Sequence, residues 1–121
     1  MAFINDEVFD QGLDWADTNG TRIDIVSTDP GGTYATVTGN TLGNDTVNTG
    51  ATENGDTDGR KVVVPAITAG SVTGTGTATH WALTNGADTV VASGALSASQ
   101  AVTSGNTFTL GAIDITIRDP S

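Results

Sequence analysis

The chain has no cysteine, one histidine and one methionine in 121 residues. Without thiols it can form no disulfide, no thiolate metal site and no thiol nucleophile. A single imidazole excludes a multi-histidine metal centre. Basic residues are almost as scarce: four Lys and Arg stand against 14 Asp and Glu, giving a net charge of −10 and an isoelectric point near 4.1. Binding to a phosphate backbone needs clustered cations, so nucleic acid is excluded as a partner. No run approaches 18 consecutive apolar residues, and none spans a membrane. The start, Met1-Ala2-Phe3-Ile4-Asn5-Asp6-Glu7, lacks the positive, apolar and small-residue succession of a secretory leader. The expectation is a chain made in a cytoplasm, with no membrane partner. At 12.1 kDa the prior is one β-rich domain, 1–121.

What the chain does contain is threonine and glycine, 22 and 16 residues, with only six aromatics. Threonine is β-branched and suits a pleated, half-exposed surface, while glycine supplies turns and bulges. Residues 5–19 read as the one helix: Asn5 or Asp6 caps it, acids crowd its first turn and Gly20 follows its last. Phe9, Leu13 and Ala16 form its apolar stripe, and Gly12 costs it about 1 kcal/mol relative to alanine. Residues 1–4 read as an extended arm that could add a strand to a partner's sheet edge. Residues 21–27 alternate as a strand, ended by Asp29-Pro30-Gly31-Gly32. Two short strands are expected at 34–38 and 41–45, then a long exposed loop over 48–60 without a large apolar residue.

The remainder predicts strands at 60–65, 71–73, 75–85, 89–95, 100–102, 108–110 and 113–118. Hairpin chemistry lies at Asn85-Gly86-Ala87-Asp88 and a tight turn at Ser104-Gly105-Asn106. The expected fold is mainly β: an antiparallel β-sandwich or jelly-roll-like barrel with one short N-terminal helix. Between Val62 and Ile113 the only formally charged side chain is Asp88. A surface dressed in Thr, Ser and Asn is soluble yet cheap to desolvate against a protein, because no ion must shed its water.

Each candidate for chemistry has a plainer reading. Asn54-Gly55-Asp56-Thr57-Asp58-Gly59 resembles the front half of a calcium loop, but its twelfth position is Pro65 rather than glutamate, and a solvated turn is the better reading. His80 beside Trp81 would need an orienting acid, for which Asp88 is the nearest by sequence; a polar tip at a sheet surface explains it more simply. Asp24 and Asp114, each between isoleucines, could be a carboxylate pair or could mark an outward face. Gly70, Gly74 and Gly76 lack the lysine and helix of a phosphate cradle. The sequons at Asn19 and Asn44 mean little without a leader. No catalytic, cofactor-binding or metal-binding residue is expected, and no enzymatic activity.

The stretch from Gly55-Asp56-Thr57-Asp58-Gly59-Arg60-Lys61-Val62-Val63-Val64-Pro65 through Ala78-Thr79-His80-Trp81-Ala82-Leu83 to Thr107-Phe108-Thr109-Leu110-Gly111-Ala112-Ile113-Asp114-Ile115 resembles a family of small virion proteins of tailed bacteriophages and related prophages. Within that group it looks most like a capsid cement or decoration protein. The resemblance implies a β-rich homo-oligomer, most often a trimer, on the capsid exterior where hexamers of the major capsid protein meet. It carries over no site residue. The alternative it leaves open is a tail, fibre or baseplate protein that binds a host glycan or receptor through Trp15, Trp81 or Tyr34.

Overall fold

The computed structural model describes residues 5–118. The expected arm, 1–4, lies outside them. Helix α1 (Asp6–Asn19) closes where the Gly20 N–H donates to the Ala16 carbonyl, 2.7 Å away, and it buries the expected stripe of Phe9, Leu13 and Ala16. Strand β1 (Arg22–Val26) follows directly.

The turn after β1 is set by local chemistry. Gly31 adopts φ +54°, its N–H donates to Asp29 Oδ1, and the Thr33 N–H reaches the Pro30 carbonyl. The next residues depart from expectation: 34–38 is no strand but the start of a second helix, α2 (Tyr34–Asn40). Val37 is its one buried side chain, packed with Val26 and Ala82. The short helix sets that valine on an apolar patch of β1 and β6 which would otherwise face water, and this burial overrides the β-propensity of Tyr, Thr and Val. The Thr38 hydroxyl and Asn40 amide bond back to helix carbonyls and support the turn.

The other strands are β2 (Thr41–Thr46), β3 (Glu53–Asn54), β4 (Arg60–Val64), β5 (Ile67–Val72), β6 (Gly76–Thr84), β7 (Val90–Val102), β8 (Thr107–Leu110) and β9 (Ile113–Ile117). All pairings are antiparallel. They form a six-stranded sheet in the order β7-β6-β1-β2-β5-β8 and a three-stranded sheet β3-β4-β9. The fold is mainly β, with the antiparallel sheets curled into a half-barrel, as expected of a sandwich or barrel-like chain.

Register fixes what each face does. Ile23 pairs with Leu83 and Ile25 with Trp81, so these side chains share the inner face with Val72, Phe108 and, from the small sheet, Val64. Arg22, Asp24 and Val26 share the opposite face, beneath α2. Phe108 is seated on glycine: a Cβ on Gly70 would lie 2.3 Å from its ring, and one on Gly43 3.1 Å. β5 starts at Ile67 rather than at 71, a start the sequence hides because Thr68-Ala69-Gly70 carries almost no apolar signal.

The two strands expected at 89–95 and 100–102 are one strand, β7, with a large bulge. Ala95 pairs with His80 and Gln100 with Ala78, so four residues, 96–99, stand opposite Thr79 alone. The 48–60 segment is mostly exposed, as expected, but it holds β3 and a buried Thr49 whose hydroxyl donates to Asp17 on α1.

At the hairpin between β6 and β7, Gly86 takes φ +76° and Asn85 Oδ1 accepts the N–H groups of Ala87, Asp88 and Thr89. The Asn85 amide and Thr89 hydroxyl donate to Asp88, holding its carboxyl below the usual carboxylate value. A depressed folded value means that this contribution to stability is complete above the unfolded value, ~3.9, and is lost as the pH falls through the folded one. Asn85→Ala is expected to cost about 0.5–1.5 kcal/mol, the net loss when water takes over hydrogen bonds at this exposed tip. It should also raise the Asp88 titration, followed by NMR, toward the ordinary range, with the Thr89 hydroxyl still holding part of the shift; an unmoved Asp88 would mean the amide does not hold it.

Candidate functional site

The chain's few cations are all held internally. Arg22 pairs with Asp24 at 2.9 Å, Arg60 with Asp10 at 2.8 Å, Lys61 with Asp56 at 2.7 Å and Asp114 at 3.2 Å, and Arg118 with Asp58 at 3.0 Å. Three of these clusters gather where α1, the 54–59 turn and the end of β9 meet. The bond from Lys61 lowers the Asp56 carboxyl, and Asp56 with Asp114 raises the Lys61 ammonium above its usual value. The expected calcium-like turn is therefore tied to the protein's own cations, and it closes with the Gly55 N–H donating to the Gly59 carbonyl. Among the described residues, no three His, Cys, Asp or Glu side chains are grouped to hold a metal ion.

The remaining candidates are scattered. His80 is half-buried and its Nδ1 lies 2.9 Å from the Thr79 hydroxyl. Asp88 sits at the hairpin tip, roughly 13 Å of strand beyond it. Asp24 is buried under α2, accepting from Arg22 and from the Thr41 hydroxyl at 2.6 Å, so it marks no outward face. Asp114 lies exposed on the small sheet, and the two carboxylates share no cleft. Gly70 seats Phe108, while Gly74 and Gly76 make room for Leu42. Asn19 donates its side-chain amide to the Trp15 carbonyl. The three aromatics occupy different elements: Trp15 is exposed on α1, Tyr34 lies on α2 near Arg22, and Trp81 is half-buried on the inner face of β6.

Away from the ionic corner, the chain has the character its composition predicts. Thr68, Ser71, Thr73, Thr75, Thr77, Thr107 and Thr109 are exposed along the strands, and Asp88 is the one formal charge from Val62 to Ile113. Where the half-barrel stays open, β7 and β8 approach across a groove of about 420 Å³. It is lined by Trp81, by the bulge and its flanks (95–100), and by the β8–β9 connection (109–113). The Gln100 amide spans it to the Thr109 carbonyl at 3.1 Å. The indole of Trp81 lies directly over Gly94, whose Cβ, if present, would meet the ring at 3.0–3.1 Å. Sequence reasoning singled out Trp81 but missed the groove, because small residues such as Ala95, Ser97 and Ala98 carry no periodic signal. Comparison with protein-family models, curated proteins and solved structures finds no match.

Proposed function

We propose that this chain is a non-enzymatic structural protein of a tailed-phage virion, bound to the capsid exterior as a cement or decoration protein. Its partners in this reading are the major capsid protein and further copies of itself, as a trimer. The observation that carries it is the division of the surface. All four Lys and Arg are engaged internally, while strands β5 and β8 on one side of the large sheet and β6 and β7 on the other present hydroxyls and no Lys, Arg, Asp or Glu.

Burying the β5–β8 pair or the β6–β7 pair removes no ion from water, so the desolvation cost that makes charged interfaces expensive is absent there. A standard interface takes about 800 Å² per partner, roughly an eighth of the 6288 Å² accessible surface. Two neighbours in a trimer and a shell contact therefore fit on one copy. Weak contacts repeated over a lattice gain through effective concentration, and the unpaired acids keep the outer surface soluble.

Electron microscopy of whole particles tests this reading. Density for the chain outside the shell at local threefold positions is the expected result. Density only on the tail would overturn the shell placement and favour the tail reading. Sedimentation of the purified protein should show a trimer; a monomer at all concentrations would remove the self-association.

A further inference from the structure

We infer that the groove between β7 and β8 is a binding site for a neutral carbohydrate, with the indole of Trp81 as its stacking platform. This inference is independent of the capsid reading and assigns the groove its own ligand.

The size comes first. About 420 Å³ falls within the ~300–1,000 Å³ of small-ligand clefts and leaves room for a saccharide unit beside the indole. Charge comes second. None of the twelve lining residues is ionisable, although the chain carries a charge of −10. A cation would find no carboxylate in the groove and an anion no guanidinium or ammonium. The polar groups offered are the hydroxyls of Ser97, Ser99 and Thr109 and, beyond the N–H it gives to the Thr109 carbonyl, the Gln100 amide, donors and acceptors of the kind that match sugar hydroxyls.

Preorganisation comes third. Because Gly94 has no side chain, the Trp81 ring rests against the β7 backbone, fixed before any ligand arrives. A held indole beside hydrogen-bonding groups suits the apolar C–H face and polar rim of a pyranose.

An extended peptide is the competing occupant, since β7 and β8 both border the opening. The bulge argues against it. With residues 96–99 opposite Thr79 alone, the N–H and C=O groups of β7 do not form the regular ladder that strand addition requires. The Thr109 carbonyl is already taken by Gln100.

The test is titration of the full ¹⁵N-labelled chain with the methyl glycosides of glucose, galactose and N-acetylglucosamine, and with an uncharged Ser/Thr hexapeptide. Saturable shifts at the Trp81 indole N–H, the Gln100 side-chain amide and residues 97–99 are expected with at least one sugar. The dissociation constant should be on the order of millimolar, as for a single small polar ligand in an open cleft. Gln100→Ala, which removes no core side chain, should weaken binding about fivefold or more; an unchanged constant would place the sugar elsewhere. Trp15→Phe should change nothing, and a loss of binding there would overturn the assignment to the groove. Shifts with the peptide alone, or no saturable shift with any probe, would also overturn it. Particle microscopy reads none of these signals, so failure here leaves the capsid proposal standing, and the reverse also holds.

Discussion

Replacing Phe108 by alanine is expected to lower the unfolding free energy by about 3–5 kcal/mol. The ring is 1% exposed and spans three adjacent strands: it projects from β8 and rests on Gly70 of β5 and Gly43 of β2. Neither glycine has a side chain to move into the space, so little of the cavity can collapse. A domain of this size has roughly 5–15 kcal/mol of stability in total, and the change should move the thermal midpoint down by roughly 10–20 °C. Urea unfolding followed by circular dichroism measures it. A loss under ~1.5 kcal/mol would mean that the sheet closes over the gap. The reciprocal change, Gly70→Ala, puts a methyl 2.3 Å from the ring and should also destabilise, by about 1–3 kcal/mol.

Arg22→Met is expected to cost about 3–5 kcal/mol, more than Asp24→Asn, at about 1–2 kcal/mol. The asymmetry follows from burial. The Arg22 side chain is 38% exposed and Asp24 only 2%. If Asp24 loses its charge, the guanidinium turns to water. If Arg22 loses its charge, the carboxylate stays under α2 with only the Thr41 hydroxyl to meet it. Paired denaturant titrations of the two variants decide the order. Equal or reversed costs would show that the carboxylate reaches solvent when its partner goes.

The parts of the fold legible in the sequence are those written in local chemistry. The α1 stripe, the alternation of β1, the Asp29–Gly31 turn and the Asn85–Gly86 hairpin each need only neighbouring residues, and each stands as expected. The second helix escaped because its cause is distant: Val37 is helical to cover Val26 and Ala82, and nothing within Tyr34–Asn40 announces that patch. Asp24 misled for a related reason. Alternation places it off the isoleucine face, which reads as outward until α2 covers it. The groove was invisible because it exists only where two strands distant in sequence approach, across a bulge made of small residues. The ion-poor stretch, by contrast, is a property of composition and needed no fold to be seen.

The ionic corner has one more consequence. Asp10, near the start of α1, is bonded to Arg60, while Ile117 pairs with Arg60 and Arg118 reaches Asp58. The first turns of the described chain and its last residues therefore emerge side by side. Arg60 of β4 thus fastens the first helix and the final strand at once, so a substitution that frees it should loosen both elements together.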